Sequence, residues 1–188
     1  MLKDIIMIVD DEPSVLSSLY RSLRSEPWVV LTELSGEQAL VRMRDQPIKV
    51  VISDERMAKM QGAEFLTIVR TLYPQTVRIL LTGQASLEAA IEVINSAEVF
   101  RFLTKPWDID MLKEHIRKAI QRYDRDQKIM RIIERCGDNP DLIPHIEKKY
   151  PGIGRVIANK YPEFADPDLS DSDLVELWEF MDSGDVRR

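Results

Sequence analysis

Asp54 closes the apolar run Val50-Val51-Ile52-Ser53, and the acidic pair Asp10-Asp11 closes an earlier run from Ile5 to Val9. Thr82 follows Ile79-Leu80-Leu81, and Lys105 follows the stretch from Val99 to Leu103. In a parallel sheet every buried strand delivers its last residue to one edge, and ligands bind in the crevice outside those carboxyl ends. The spacing therefore predicts three carboxylates, one hydroxyl and one ammonium converging there. Such a set suits transfer of a phosphoryl group to a carboxylate. A lone carboxylate is a weak nucleophile toward an anionic donor, and a divalent cation held by Asp11 and Asp54 would screen the repulsion. Magnesium (or manganese) fits, being hard and content with few carboxylates plus waters and phosphate. Asp10 is expected to act through a water. Lys105 is expected to neutralise a phosphoryl oxygen as a point charge, and the Thr82 hydroxyl to donate to another. The expected product is an aspartyl phosphate on Asp54.

The elements that must position these groups are legible in the pattern. Residues 1 to 124 alternate short β-branched runs with amphipathic stretches, as βα units of a doubly wound five-stranded parallel sheet do. Strands are expected at 5–9, 28–33, 49–53, 77–81 and 99–103. Helices are expected at 13–24, 36–45, 62–72, 86–95 and from 108 onward. Pro13 suits a first helical turn, Asp108 can cap the fifth helix, and Gly62 punctuates the loop before the third.

The segments IMIVDDEP, VVISDERM, ILLTG and RFLTKPW resemble, in order and spacing, those of two-component response regulators. Residues 1 to about 124 are similar to a receiver (CheY-like) domain with the flavodoxin-like α/β fold. The family's signature positions are matched by Asp10, Asp11, Asp54, Thr82 and Lys105. Phe102 matches the family's switch aromatic, and Lys105-Pro106 matches a peptide that is usually cis there. The resemblance implies that a histidine kinase or phosphotransfer protein phosphorylates Asp54 in a metal-dependent step. Thr82 and Lys105 would then draw inward, and Phe102 would turn into the vacated space. That movement would remodel the surface of the fourth helix, fifth strand and fifth helix for a downstream protein. It implies a signalling switch rather than an enzyme. Two departures stand out. Met57 is followed by Ala58 where the family often has proline, which implies a less rigid loop. Arg56 stands two residues past the acceptor, where chemotaxis-type receivers often have asparagine. Its backbone carbonyl can still serve the metal. Its side chain, with Gln84 on the other flank, is expected to tune phosphate lifetime.

Composition bounds the rest. The 44% apolar share can fill a core, and no stretch approaches the roughly 18 apolar residues of a membrane span. No secretory signal opens the chain and Cys136 is its single cysteine, so a reducing cytoplasm is expected. His115 and His145 are widely spaced, which argues against zinc. The net charge is −6, and residues 127–188 hold 9 Lys+Arg against 13 Asp+Glu, so nucleic acid is an unfavoured partner.

Residues 125–188 are expected to form a helical extension and a small α-helical output or interaction segment. Ile109, Leu112, Ile116, Ala119, Tyr123, Asp126, Met130 and Ile133 follow alternating three- and four-residue steps, with no Gly or Pro between Pro106 and Gly137. Two readings fit: one helix packed on the receiver and then a bend, or a continuous helix that pairs with its twin in a homodimer. Farther on, Lys149-Tyr150-Pro151 and Lys160-Tyr161-Pro162 recur, and Leu174, Leu177, Trp178 and Met181 share a helical face. That face suits either packing within the tail or docking in a partner's groove. Alternatives for the output are a transcriptional regulator or a degenerate cyclic-di-nucleotide phosphodiesterase module. RFLTKPW and the long helix resemble receivers fused to such HD-type enzymes, although no His-Asp pair occurs.

Overall fold

The computed structural model describes residues 3–83 and 99–138. Five strands are present: β1 (Ile5–Val9), β2 (Val29–Glu33), β3 (Val50–Asp54), β4 (Val77–Thr82) and β5 (Arg101–Thr104). The described helices are α1 (Pro13–Leu23), α2 (Gly36–Met43), α3 (Gly62–Leu72) and α4 (Ile109–Asp138). The helix expected at 86–95, Gln84 and everything from 139 onward, including the Trp178 face, lie outside the described residues. The helix read as the fifth in the sequence is therefore α4 here. The strands form one parallel sheet in the order β2-β1-β3-β4-β5, a doubly wound, flavodoxin-like arrangement.

Alternation along each strand builds two cores, because successive side chains point to opposite faces. Ile6, Ile8, Val50, Ile52, Ile79 and Leu81 pack with Leu16, Leu19 and Leu23 of α1 and with Leu112, Ile116 and Ala119 of α4. Met7, Val9, Val51 and Leu80 pack with Ala39 and Met43 of α2 and with Phe65, Leu66 and Val69 of α3. Truncating a fully buried residue such as Phe65 typically costs about 3–5 kcal/mol, so both layers hold the sheet edge in register.

The helix starts follow local chemistry. Pro13 occupies the first turn of α1. The Ser35 hydroxyl caps α2 by accepting from the Gln38 N–H at 3.3 Å. Asp108 Oδ1 caps α4, accepting from the N–H groups of Asp110 (2.8 Å) and Met111 (2.9 Å).

Of the two readings of the last helix, the one with a bend is corrected. Helix α4 runs unbroken over 30 residues, about 45 Å at 1.5 Å per residue. The compact units divide between Tyr123 and Asp124. The first half of the apolar seam is not free for pairing. Leu112, Ile116 and Ala119 are fully buried in the core on one face of the sheet, and Ile109 and Tyr123 pack against it. A core-facing stripe and a coiled-coil seam share the same spacing, so the sequence pattern could not separate them. Among the described residues, no helix is long and apolar enough to cross a membrane.

Candidate functional site

The carboxyl ends of β1 and β3 bring Asp10, Asp11 and Asp54 together, with one carboxylate oxygen of each within 4.8 Å of the others. Parallel pairing of β1 with β3 aligns Val9 with Ser53, so the residues that follow leave the sheet side by side. Each carboxylate is anchored differently. Asp10 is buried, and its Oδ1 accepts from the Glu12 N–H at 2.9 Å. Asp11 is exposed, and its Oδ2 accepts from the Ala58 N–H at 2.8 Å across the loop after β3. Asp54 is 7% exposed, and its Oδ2 accepts from the Arg56 N–H at 3.2 Å.

Lys105 closes the site from β5. Its ammonium pairs with Asp54 Oδ1 and lies 3.4 Å from Asp10 Oδ2, with the Trp107 ring centroid 5.6 Å away. The backbone also fixes it, since its N–H donates to the Thr82 carbonyl at 2.7 Å; the Lys105-Pro106 peptide that follows is cis. Burial draws the Lys105 pKa down, but the bonds to Asp54 and the charge of Asp10 outweigh it and raise the pKa overall. Burial pushes the Asp10 pKa up, with Asp54 adding to it; the Glu12 N–H and Lys105 offset this only in part.

Thr82 ends β4 almost fully buried. Its hydroxyl donates to Glu55 Oε2, with the Gly83 carbonyl a second acceptor at 3.1 Å. Glu55 escaped the sequence reading. Its signal lay in the register, because Asp54 pairs with Leu81, so the next residue of each strand must meet. The Glu55 N–H bonds the Leu81 carbonyl at 2.8 Å, confirming that alignment.

The other expected positions divide. Arg56 is exposed, and its guanidinium lies over Gly83, 3.4 Å from where a Cβ would stand. Phe102 is 38% exposed on β5. Ala58 does not simply loosen its loop; its N–H ties the loop to Asp11, a bond that proline could not make. Asp10, Asp11, Asp54 and Lys105 thus share one site, while Thr82 borders it through Glu55.

The three carboxylates suit a hard divalent cation. Each anchored oxygen retains a lone pair, since a carboxylate offers about four acceptor sites, so the existing bonds do not preclude coordination.

The family model of the response regulator receiver domain matches residues 6–117. The chain belongs to the response regulator receiver family. The chain is 35% identical over 116 residues to the hydrogenase transcriptional regulatory protein HoxA of Cupriavidus necator, covering 62% of this chain and 24% of that protein. HoxA of Bradyrhizobium diazoefficiens is 30% identical over 159 residues, covering 85% of this chain and 32% of that protein. The chain thus spans about a quarter to a third of the length of these relatives. Among solved structures, the signal receiver domain of an HD domain-containing protein from Pseudomonas fluorescens superposes with a TM-score of 0.65. It is 30% identical and covers 68% of this chain and 93% of that one.

Proposed function

We propose that this receiver is a phosphorylation switch in which Asp54 accepts a phosphoryl group from a histidine kinase or phosphotransfer protein. The observation that carries it is the three-carboxylate cluster with the Lys105 ammonium on its acceptor residue. An Asp54 oxygen forms a bond to phosphorus as the donor's bond to phosphorus breaks, leaving the mixed anhydride. Asp11 and Asp54 would hold Mg²⁺ (or Mn²⁺), with the Arg56 carbonyl contributing and Asp10 acting through a water. The ion supplies charge screening and orients the donor. Lys105, already beside Asp54, neutralises a phosphoryl oxygen, and Thr82 donates to another once released from Glu55. Phe102 turns inward as Thr82 moves. The added charge, about −1.5 to −2 units, biases two arrangements of the surface that a downstream protein reads. This is a switch with its own phosphoryl uptake and loss, not an enzyme acting on a separate substrate. Arg56 and Gln84 set the phosphate lifetime, and a homodimer through the apolar seam of α4 would use the part after Tyr123, because the earlier part is buried in the core.

Incubation with a small acyl phosphate and Mg²⁺ should add one phosphoryl group by intact mass, and Asp54→Asn should abolish it. Equal uptake by the variant would overturn the assignment.

A second reading, transcriptional control, is favoured by the names of both HoxA relatives. The net charge of −6 weighs against DNA contact through these residues. A salt-titrated DNA-binding assay separates the two.

A further inference from the structure

We propose that Glu55 competes with the phosphoryl group for the Thr82 hydroxyl, and so sets how readily this receiver switches. The inference rests on the phosphorylation reading above and assigns a positioning role to a residue outside the acceptor cluster. Thr82 has one hydroxyl proton and can satisfy one strong acceptor at a time. In this structure that acceptor is Glu55 Oε2. A charge-assisted bond of this type is stronger than a neutral one, and Thr82 is 3% exposed, so little water competes. Glu55 cannot drift away along the backbone. Its N–H is bonded to the Leu81 carbonyl at 2.8 Å and its carbonyl accepts from the Gly62 N–H at 2.9 Å. Only its side chain can leave.

A phosphoryl group on Asp54 offers Thr82 a more highly charged acceptor than Glu55 does. The exchange that follows is that Glu55 turns out and the Thr82 hydroxyl passes to phosphoryl oxygen. The bond to Glu55 therefore holds the unphosphorylated arrangement, and breaking it is part of the cost of switching.

The test is a double-mutant cycle with beryllofluoride as the phosphoryl mimic at saturating Mg²⁺, read by tryptophan fluorescence. Trp107, beside Lys105, is a built-in reporter. Glu55→Ala should tighten apparent beryllofluoride affinity about tenfold or more, the scale of one hydrogen bond to a charged group. Glu55→Gln, which keeps an acceptor without the charge, should fall between. In a Thr82→Ala background the gain from Glu55→Ala should shrink at least about threefold. Methyl NMR of Thr82 should show Glu55→Ala, without beryllofluoride, shifted toward the beryllofluoride-bound position. An equal gain with and without the Thr82 hydroxyl would overturn the proposal, since Glu55 would then act through charge alone. So would an unchanged affinity in Glu55→Ala. Failure of the wild-type protein to bind beryllofluoride or take up phosphate would instead overturn the phosphorylation reading beneath it.

Discussion

Gly62→Ala should damage both the fold and the acceptor site. A Cβ on Gly62 would stand 2.0 Å from the Asp54 carbonyl oxygen, 2.9 Å from its carbonyl carbon and 3.0 Å from the Glu55 Cα. An unstrained carbon–oxygen approach is about 3.3 Å or more, so the loop would have to move by roughly 1.3 Å. All three neighbours are backbone, so no side-chain rotation relieves the clash. Two hydrogen bonds lie in the path: Gly62 N–H to the Glu55 carbonyl and Glu55 N–H to the Leu81 carbonyl. Overpacking costs about 1–3 kcal/mol, and each bond adds about 1 kcal/mol, giving about 3–5 kcal/mol. Helix propensity alone would favour alanine, so the expected sign is opposite to the local preference. The assay is guanidinium unfolding followed by circular dichroism, with phosphate uptake measured on the folded fraction. Gly36→Ala is the comparison. Its Cβ would meet the Met60 sulfur at 2.7 Å, the flexible part of a side chain, and Phe65 at 3.1 Å. It should cost less, because methionine can repack. Gly62→Ala within about 1 kcal/mol of wild type, or no worse than Gly36→Ala, would refute the reasoning.

Asp11→Ala should weaken Mg²⁺ binding more than Asp10→Ala, because buried Asp10 is already engaged by Lys105 and the Glu12 N–H; equal losses in a fluorescence titration would undo that ranking. Ala58→Pro should lower Mg²⁺ affinity about threefold or more by removing the donor that orients Asp11, whereas Ala58→Gly keeps the N–H and should not. His115 has its pKa lowered by burial and by the nearby charges of Arg101 and Lys118. Its contribution to stability is present above the ordinary value of 6.5 and lost as pH falls through the lower folded value. His115→Gln should flatten that part of the stability–pH curve, and an unchanged slope would count against the assignment.

The sheet, and the gathering of Asp10, Asp11, Asp54 and Lys105 at its edge, were largely legible because each strand carries its own ending. Apolar runs stop at Asp10, Asp54 and Thr82, and strand parity assigns the two cores without further information. The helix starts at Pro13 and Asp108 were also local signals. What the pattern could not supply were contacts made between loops. Glu55 meets Thr82 only through the β3–β4 register, and Ala58 meets Asp11 across 47 residues of chain. The apolar seam was ambiguous for a different reason: Leu112 and Ile116 have the spacing of a dimer interface, and their destination in the receiver core depends on tertiary packing. Gly62 was legible as punctuation, but its necessity comes from the Asp54 carbonyl above it.

The destination of the phosphoryl group decides whether Asp54 is the acceptor, and trapping it covalently is the direct measurement. The protein is incubated with a small acyl phosphate, with and without Mg²⁺, reduced with borohydride and mapped by peptide mass spectrometry. Reduction should convert Asp54 alone to homoserine, and only in the divalent-ion sample. A product at Glu55, Asp10 or Asp11, or equal modification after chelation, would contradict the assignment of Asp54 as the metal-assisted acceptor.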